Sequence, residues 1–146
     1  MSNPGAAFAQ TLHIRDACLC LHAQRAARAL ARRFDEAFRP CGITSGQFSL
    51  LNGLNRPSPP TIGAIAELLA MDRSTVTANL KPLERIGAVT TAVDPDDRRG
   101  RRISLTDQGR ALLAAATPIW IREHAALEDE LDGAGDALRR GMRKLA

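Results

Sequence analysis

The stretch TIGAIAELLAMDRSTVTANLKPLERIG, residues 61–87, decides the fold. Thr61 can cap a short helix whose inward stripe is Ile62, Ile65, Ala66 and Leu69. Only Ala70 and Met71 separate that stripe from Asp72, itself an N-cap residue, so a second helix follows across a tight turn. This second helix, from about Arg73 to Ile86, aligns Val76, Leu80 and Leu83 on one face, with Ile86 continuing the stripe. The opposite face is short and polar: Ser74, Ala78, Lys81 and Arg85, with Thr75 and Thr77 on its shoulders. Pro82 removes one backbone hydrogen bond and predicts a mild kink without a break.

Downstream, Gly87 ends the helix, and Val89 to Val93 favours extended backbone. Arg102 to Leu105 is its partner strand, and Asp94-Pro95-Asp96-Asp97 with Gly100 is turn chemistry between them, giving a hairpin with a basic tip. Thr106 caps a long helix that Pro118 kinks or breaks, and a last helix follows Gly133 and Gly135. Upstream, Leu19, Ala23, Ala27, Leu30, Phe34 and Phe38 recur at helical spacing, so a long amphipathic helix runs from about Asp16 to Phe38. It stops near Arg39, before Pro40 and Gly42. Thr44 and Gln47 form a capping-box pair that opens a helix carrying Phe48, Leu51 and Leu54, ended by Arg56 and the Pro57, Pro59, Pro60 cluster. The expected class is mainly α with a small β-hairpin (α+β), in one domain over 1–146.

Composition agrees with that class. Tyr is absent and aromatics are 3% of the chain, so Ala, Leu, Ile and Val must build the core. The net charge of +4 proves nothing about partners, but its layout is uneven: four of the five residues from Arg98 to Arg102 are Arg, whereas Glu123 to Asp136 holds six acids and no Lys or Arg. Three cysteines are too few for a disulfide framework and fit a reducing cytoplasm. No export signal or membrane span is evident.

A helix with small polar residues outward fits a major groove of about 12 Å, where Ser74, Thr75 and Thr77 meet base edges and thymine methyls, while Lys81 and Arg85 neutralise phosphates; Arg73 and Ala78 belong to the same candidate DNA-binding set. The alternative is a plain solvated helix face. The hairpin tip, with Arg98, Arg99 and Arg101, suits a narrow minor groove, and Asp97 can hold Arg99 extended; the alternative is a tip that only solubilises. An enzyme is the main competing class, for example a thiol peroxidase built on Cys20. It is disfavoured because His13, His22 and His124 are scattered and no Gly-rich phosphate loop is present.

Four pieces in this order resemble the MarR-type regulators: Asp72-Arg73-Ser74-Thr75-Val76-Thr77, Leu83-Glu84-Arg85-Ile86-Gly87, Asp94-Pro95-Asp96-Asp97-Arg98-Arg99-Gly100 and Leu105-Thr106-Asp107-Gln108-Gly109. The resemblance runs from about Arg15 onward. It implies a winged helix-turn-helix DNA-binding lobe over about 44–105, with dimerisation helices over about 12–39 and 107–146. It also implies a homodimer on a palindromic or pseudo-palindromic double-stranded operator, with Arg99 in the minor groove and Asp97 as its partner. The function it implies is a transcriptional regulator, not an enzyme and without a cofactor, acting as a repressor released by a small organic ligand or by cysteine oxidation. One departure is Ala78, where many members carry Arg, so base preference differs.

Cys20 falls where the organic hydroperoxide resistance regulators keep their reactive cysteine, although the tyrosines that assist it there cannot exist here. Cys20, with Cys18, is therefore a candidate redox sensor through sulfenic acid and mixed disulfide, the alternative being two small core residues. Cys18, Cys20 and His22 do not form a metal site on one helix, since residues two apart diverge by about 200°. The resemblance also implies an effector cleft between the dimer helices and the DNA-binding lobe. Its candidate walls are Leu21, Phe34, Phe48 and Trp120, suited to an aromatic or lipophilic anion, or else ordinary core.

Overall fold

The computed structural model describes residues 4–146, so the first three residues of the 1–146 span lie outside it. Helices α1 (Pro4–Ala17) and α2 (Leu19–Ala37) meet at Cys18, whose ψ of 109° takes the chain out of helical phase. The sequence reading began a single helix near Asp16 and assigned nothing before it. The earlier segment is helical because Ala6, Ala7 and Ala9 favour helix without an amphipathic stripe to betray it. A single 3-10 turn, Arg39–Cys41, then carries Pro40 past the helix end.

Helix α3 (Ser45–Leu54) opens with the expected capping box: the Gln47 N–H donates to Thr44 Oγ1 at 3.2 Å, and Gln47 Oε1 accepts from the Thr44 N–H at 2.9 Å. It ends at Leu54, two residues before the expected stop. In α4 (Ile62–Leu68), Thr61 Oγ1 accepts the Ala64 N–H at 3.1 Å, as a cap should. Leu69 to Met71 makes the tight turn, with Ala70 at φ 51° and the Met71 N–H on the Ala66 carbonyl at 2.9 Å. Helix α5 (Arg73–Arg85) follows and runs unbroken through Pro82.

Strands β1 (Val89–Val93) and β2 (Arg101–Leu105) pair antiparallel, Val89 opposite Leu105 and Val93 opposite Arg101. Helix α6 (Asp107–Glu130) stays one helix across Pro118, so the break that the sequence allowed does not occur. Within that turn the Thr117 hydroxyl donates to the Leu113 carbonyl at 2.8 Å. Its first turn presses on the entry to β1: a Cβ on Gly109 would sit 2.0 Å from the Ala88 carbonyl oxygen, which only glycine avoids. Helix α7 (Gly135–Leu145) closes the chain. The architecture is therefore mainly α with one β-hairpin wing on a helix-turn-helix.

The core joins α3, α4, α5, the hairpin and the first half of α6 around Leu50, Leu51, Ile65, Val76, Leu83 and Ile103. Ile86 does not join it. The residue is 47% exposed because α5 ends at Arg85 and the chain turns away at Gly87, φ 74°. Arg33 ties α2 to α6, its Nε on Glu123 at 2.5 Å and its Nη1 on Glu130 at 2.7 Å. No helix among the described residues is long and apolar enough to cross a membrane.

Candidate nucleic-acid interface

Burying Val76, Leu80 and Leu83 against the core turns the other face of α5 outward. Arg73, Ser74, Thr75, Thr77, Ala78, Lys81 and Arg85 are all exposed, as the sequence pattern requires. The Thr77 hydroxyl donates to the Arg73 carbonyl at 2.9 Å, which leaves its oxygen able to accept a further hydrogen bond. Asp72 occupies the N-cap position with extended backbone, but its carboxylate makes no capping bond. The Arg73 guanidinium lies along α4 so closely that a Cβ on Gly63 would meet it at 2.8 Å.

The hairpin turn is braced by its own acids. Asp94 Oδ1 accepts the Asp96 N–H at 3.0 Å, and Asp97 Oδ1 accepts the Arg99 backbone N–H at 3.0 Å. Asp97 thus braces Arg99 through the Arg99 main chain. Arg98, Arg99 and Arg101 are exposed, and Arg101 belongs to β2, one residue earlier than expected. A cleft of about 310 Å³ brings Arg73 and Thr77 of α5 beside Arg99 and Arg101 of the wing. Lys81 and Arg85 lie further along α5, away from that cleft.

Two residues of this region escaped the sequence reading. Asp94 is 6% exposed, and Arg102 turns inward to pair with it, Nε to Oδ1 at 2.9 Å. The Asp94 carboxyl is held below the usual range first by the Asp96 backbone N–H and then by Arg102. The Asp-Pro-Asp-Asp run signalled an Asx-type turn that could have singled out Asp94. Nothing in the sequence marked which arginine would meet it.

The proposed effector walls separate. Phe48 and Trp120 line an open groove of about 720 Å³ together with Asn52, Asn55, Arg56 and Leu69. Leu21 and Phe34 do not line it. Phe34 packs instead on Phe38 at 6.0 Å between ring centroids, because that face of α2 turns to the core. The Trp120 ring stacks on His124 at 4.5 Å. Asn52, in the last turn of α3, and Asn55 and Arg56 just after it were missed because this stretch reads as a plain helix end.

Cys18 is half-buried and Cys20 exposed. Cys18 is the N-cap of α2, its Sγ accepting the Leu21 N–H at 3.4 Å, so the argument that both cysteines diverge from one helix does not apply. Gln24 Nε2 donates to Cys20 Sγ at 3.3 Å. Cys41 packs against the core, and no cluster of three metal-ligating side chains occurs among the described residues.

Comparison with known proteins places these features in context. The sequence profile of the MarR family matches residues 43–100. The HTH-type transcriptional regulator TtmR of Methylorubrum extorquens is 31% identical, the match covering 99% of this chain and 79% of TtmR. Among the curated relatives, the matched share of the relative runs from 41% to 79%. The M. tuberculosis transcriptional regulator MosR, solved in complex with DNA, superposes with TM-score 0.76 at 34% identity, covering 88% of this chain and 92% of that one. The transcriptional repressor CouR, bound to a 23-mer DNA duplex, superposes with TM-score 0.80 at 29% identity, covering 90% and 94%.

Proposed function

This chain belongs to the MarR family and is a DNA-binding transcriptional regulator, and we propose that it works as a homodimeric repressor that a small organic ligand releases from a palindromic operator. The observation that carries the reading is the cleft where Arg73 and Thr77 stand beside Arg99 and Arg101. In this reading Ser74, Thr75, Thr77 and Ala78 meet base edges in the major groove, while Arg73, Lys81 and Arg85 neutralise phosphates. Arg99 enters the adjacent minor groove, with Arg98 and Arg101 on its walls. The repressor likeness rests on CouR.

The homodimer is supported by apolar faces that one chain leaves bare. Phe8 is 63% exposed, Leu19 74%, Met142 55% and Leu145 74%. Monomers rarely leave such faces uncovered, and a second copy related by a twofold axis covers them and matches a palindrome.

The groove at Phe48 and Trp120 is the effector site in this reading, its aromatic walls and Arg56 suiting an aromatic carboxylate. The test is binding to a duplex selected by the protein from a random-sequence pool. The logarithm of the binding constant should fall with the logarithm of salt at about 0.9 per phosphate contacted. Benzoate and cinnamate should weaken binding in the wild type and not in Arg56→Ala. Salt-independent binding would sink the DNA assignment; ligand-independent binding would sink the groove.

A second route of release rests on exposed Cys20 beside Cys18. A thiolate attacks the terminal oxygen of an organic hydroperoxide, the O–O bond breaks, the alkoxide leaves and takes a proton from water to become the alcohol, and the sulfenic acid condenses with a second thiol to a disulfide and water. Cumene hydroperoxide should then release DNA, dithiothreitol restore it, and Cys20→Ser abolish the response. An unchanged response in Cys20→Ser would remove this route.

A further inference from the structure

We propose that Arg102 is a positioning residue for DNA binding: it clamps the wing to the loop before α4 and so fixes where Arg98, Arg99 and Arg101 meet the duplex. The inference rests on the wing's role in the function proposed above.

A two-stranded hairpin has little stability or fixed direction of its own. This wing is anchored at its root by a guanidinium that spends its donors in three directions. Arg102 Nε donates to Asp94 Oδ1 at 2.9 Å, Nη1 to the Pro59 carbonyl at 2.9 Å, and Nη2 reaches Asp96 Oδ2 at 3.4 Å. Two of these acceptors belong to the wing turn and the third to the Pro57–Pro60 loop. Beside them the Ile103 N–H donates to the Pro60 carbonyl at 3.0 Å, and Thr61 bridges to Arg102 as a fragment of a third strand.

Asp94 is the one charged residue buried among those described, and it also holds the ends of the turn, its N–H on the Gly100 carbonyl at 3.1 Å. Without Arg102 that carboxylate would be buried and unpaired, which a protein relieves by moving it out to water. Such a movement carries the turn, and Arg98 and Arg99 with it. The planar fork is what lets one side chain serve both the acid and the carbonyl; an ammonium cannot span them in the same way. Arg102 faces inward, its side chain 30% exposed, so its part is played through the wing and not through contact with DNA.

A double-mutant cycle tests this on a duplex selected by the wild-type protein from a random-sequence pool. Arg102→Met should weaken binding about tenfold. Arg99→Ala should cost about tenfold in the wild type and under twofold once Arg102 is Met, because a misplaced wing has no contact left to lose. Asp94→Asn should show the same coupling to Arg99→Ala. Tryptophan fluorescence and sedimentation check that each variant is folded and assembled as the wild type is. Should Arg102→Met fail to fold, Arg102→Lys carries the same cycle and should show the same coupling. Effects that multiply to about a hundredfold would overturn the proposal, as would Arg102→Met weakening binding while Asp94→Asn leaves it unchanged, since Arg102 would then touch DNA itself. Loss of the salt dependence in the wild type would instead remove the DNA reading on which the proposal stands.

Discussion

Between Phe38 and Ala116 the chain closes its own core, and outside that span it does not. Every buried apolar side chain among the described residues falls between those two positions. By contrast α1 buries no residue and α7 buries only Gly135, while Leu138, Met142 and Leu145 stand exposed along one side of α7. One polypeptide thus contains a lobe that satisfies itself and flanks whose apolar surface needs a second surface. The difference separates two tasks: presenting α5 and the wing belongs to the lobe, and in the dimer proposed above the flanks would set the spacing of two lobes.

The contrast breaks first if the lobe core is not tight. Leu83 is fully buried on α5, so Leu83→Ala removes its side chain from a packed site and should destabilise by about 2–5 kcal/mol. Denaturant unfolding measures it. A loss below about 1 kcal/mol would mean that the core collapses freely and does not hold α5 rigidly.

On the flank the expectation is opposite in kind. Met142 is 55% exposed in the single chain, so Met142→Glu should leave the lobe folded but weaken the proposed dimer by about 2 kcal/mol, some thirtyfold. Sedimentation at a series of concentrations reads that shift. A dimer of unchanged affinity would show that this side of α7 faces water in the assembly.

The same contrast explains what the sequence disclosed. The lobe was legible because its elements satisfy themselves locally: Thr44, Thr61 and Thr106 each cap the helix that their position announced. Periods of three and four marked Val76, Leu80 and Leu83 correctly, since their partners lie in the same lobe. The period failed at Ile86, where a chain reversal at Gly87 overrides it. It also said nothing of α1, whose helix rests on alanine propensity alone. In the site, outward residues of α5 followed from geometry, but the Asp94–Arg102 pair did not, because it joins side chains eight residues apart across a turn. That Phe34 and Leu21 stand apart from the groove was hidden for a related reason. Apolar residues on α2 look alike in sequence whether they face the core, a groove or a second chain.

Thr106 stands where lobe and flank join, and it sharpens the comparison further. Its hydroxyl donates to the Gly87 carbonyl at 2.5 Å and accepts the Gly109 N–H at 3.0 Å, so one side chain ties the end of α5 to the start of α6. Thr106→Ala should cost about 1–1.5 kcal/mol, the usual range for a cap with an added hydrogen bond. Thermal unfolding measures the loss. Thr106→Ser should restore most of it, and a serine as damaging as alanine would assign the effect to the methyl group instead.

The smallest effect distinguishes the ion pairs of the two regions. Arg33 holds the Glu130 carboxyl below the ordinary glutamate value of 4.5, and Arg139 holds Asp136 below the ordinary aspartate value of 3.8. A carboxyl lowered by folding contributes stability that is complete above its ordinary value and lost as pH falls through the lowered one. Asp94 is lowered in the same sense, so acid alone should loosen flank and wing together. Salt separates them. The Glu130 side chain is 62% exposed and that of Asp94 is 8%, so added salt at neutral pH screens the first pair and scarcely the second. Hydrogen exchange should therefore quicken with salt at the C-terminal end of α6 and stay constant at Ile103 and Arg99 in the wing. Equal acceleration in both places would mean that the wing root is as open to solvent as the flank, and the division between a closed lobe and open flanks would not extend to their charges.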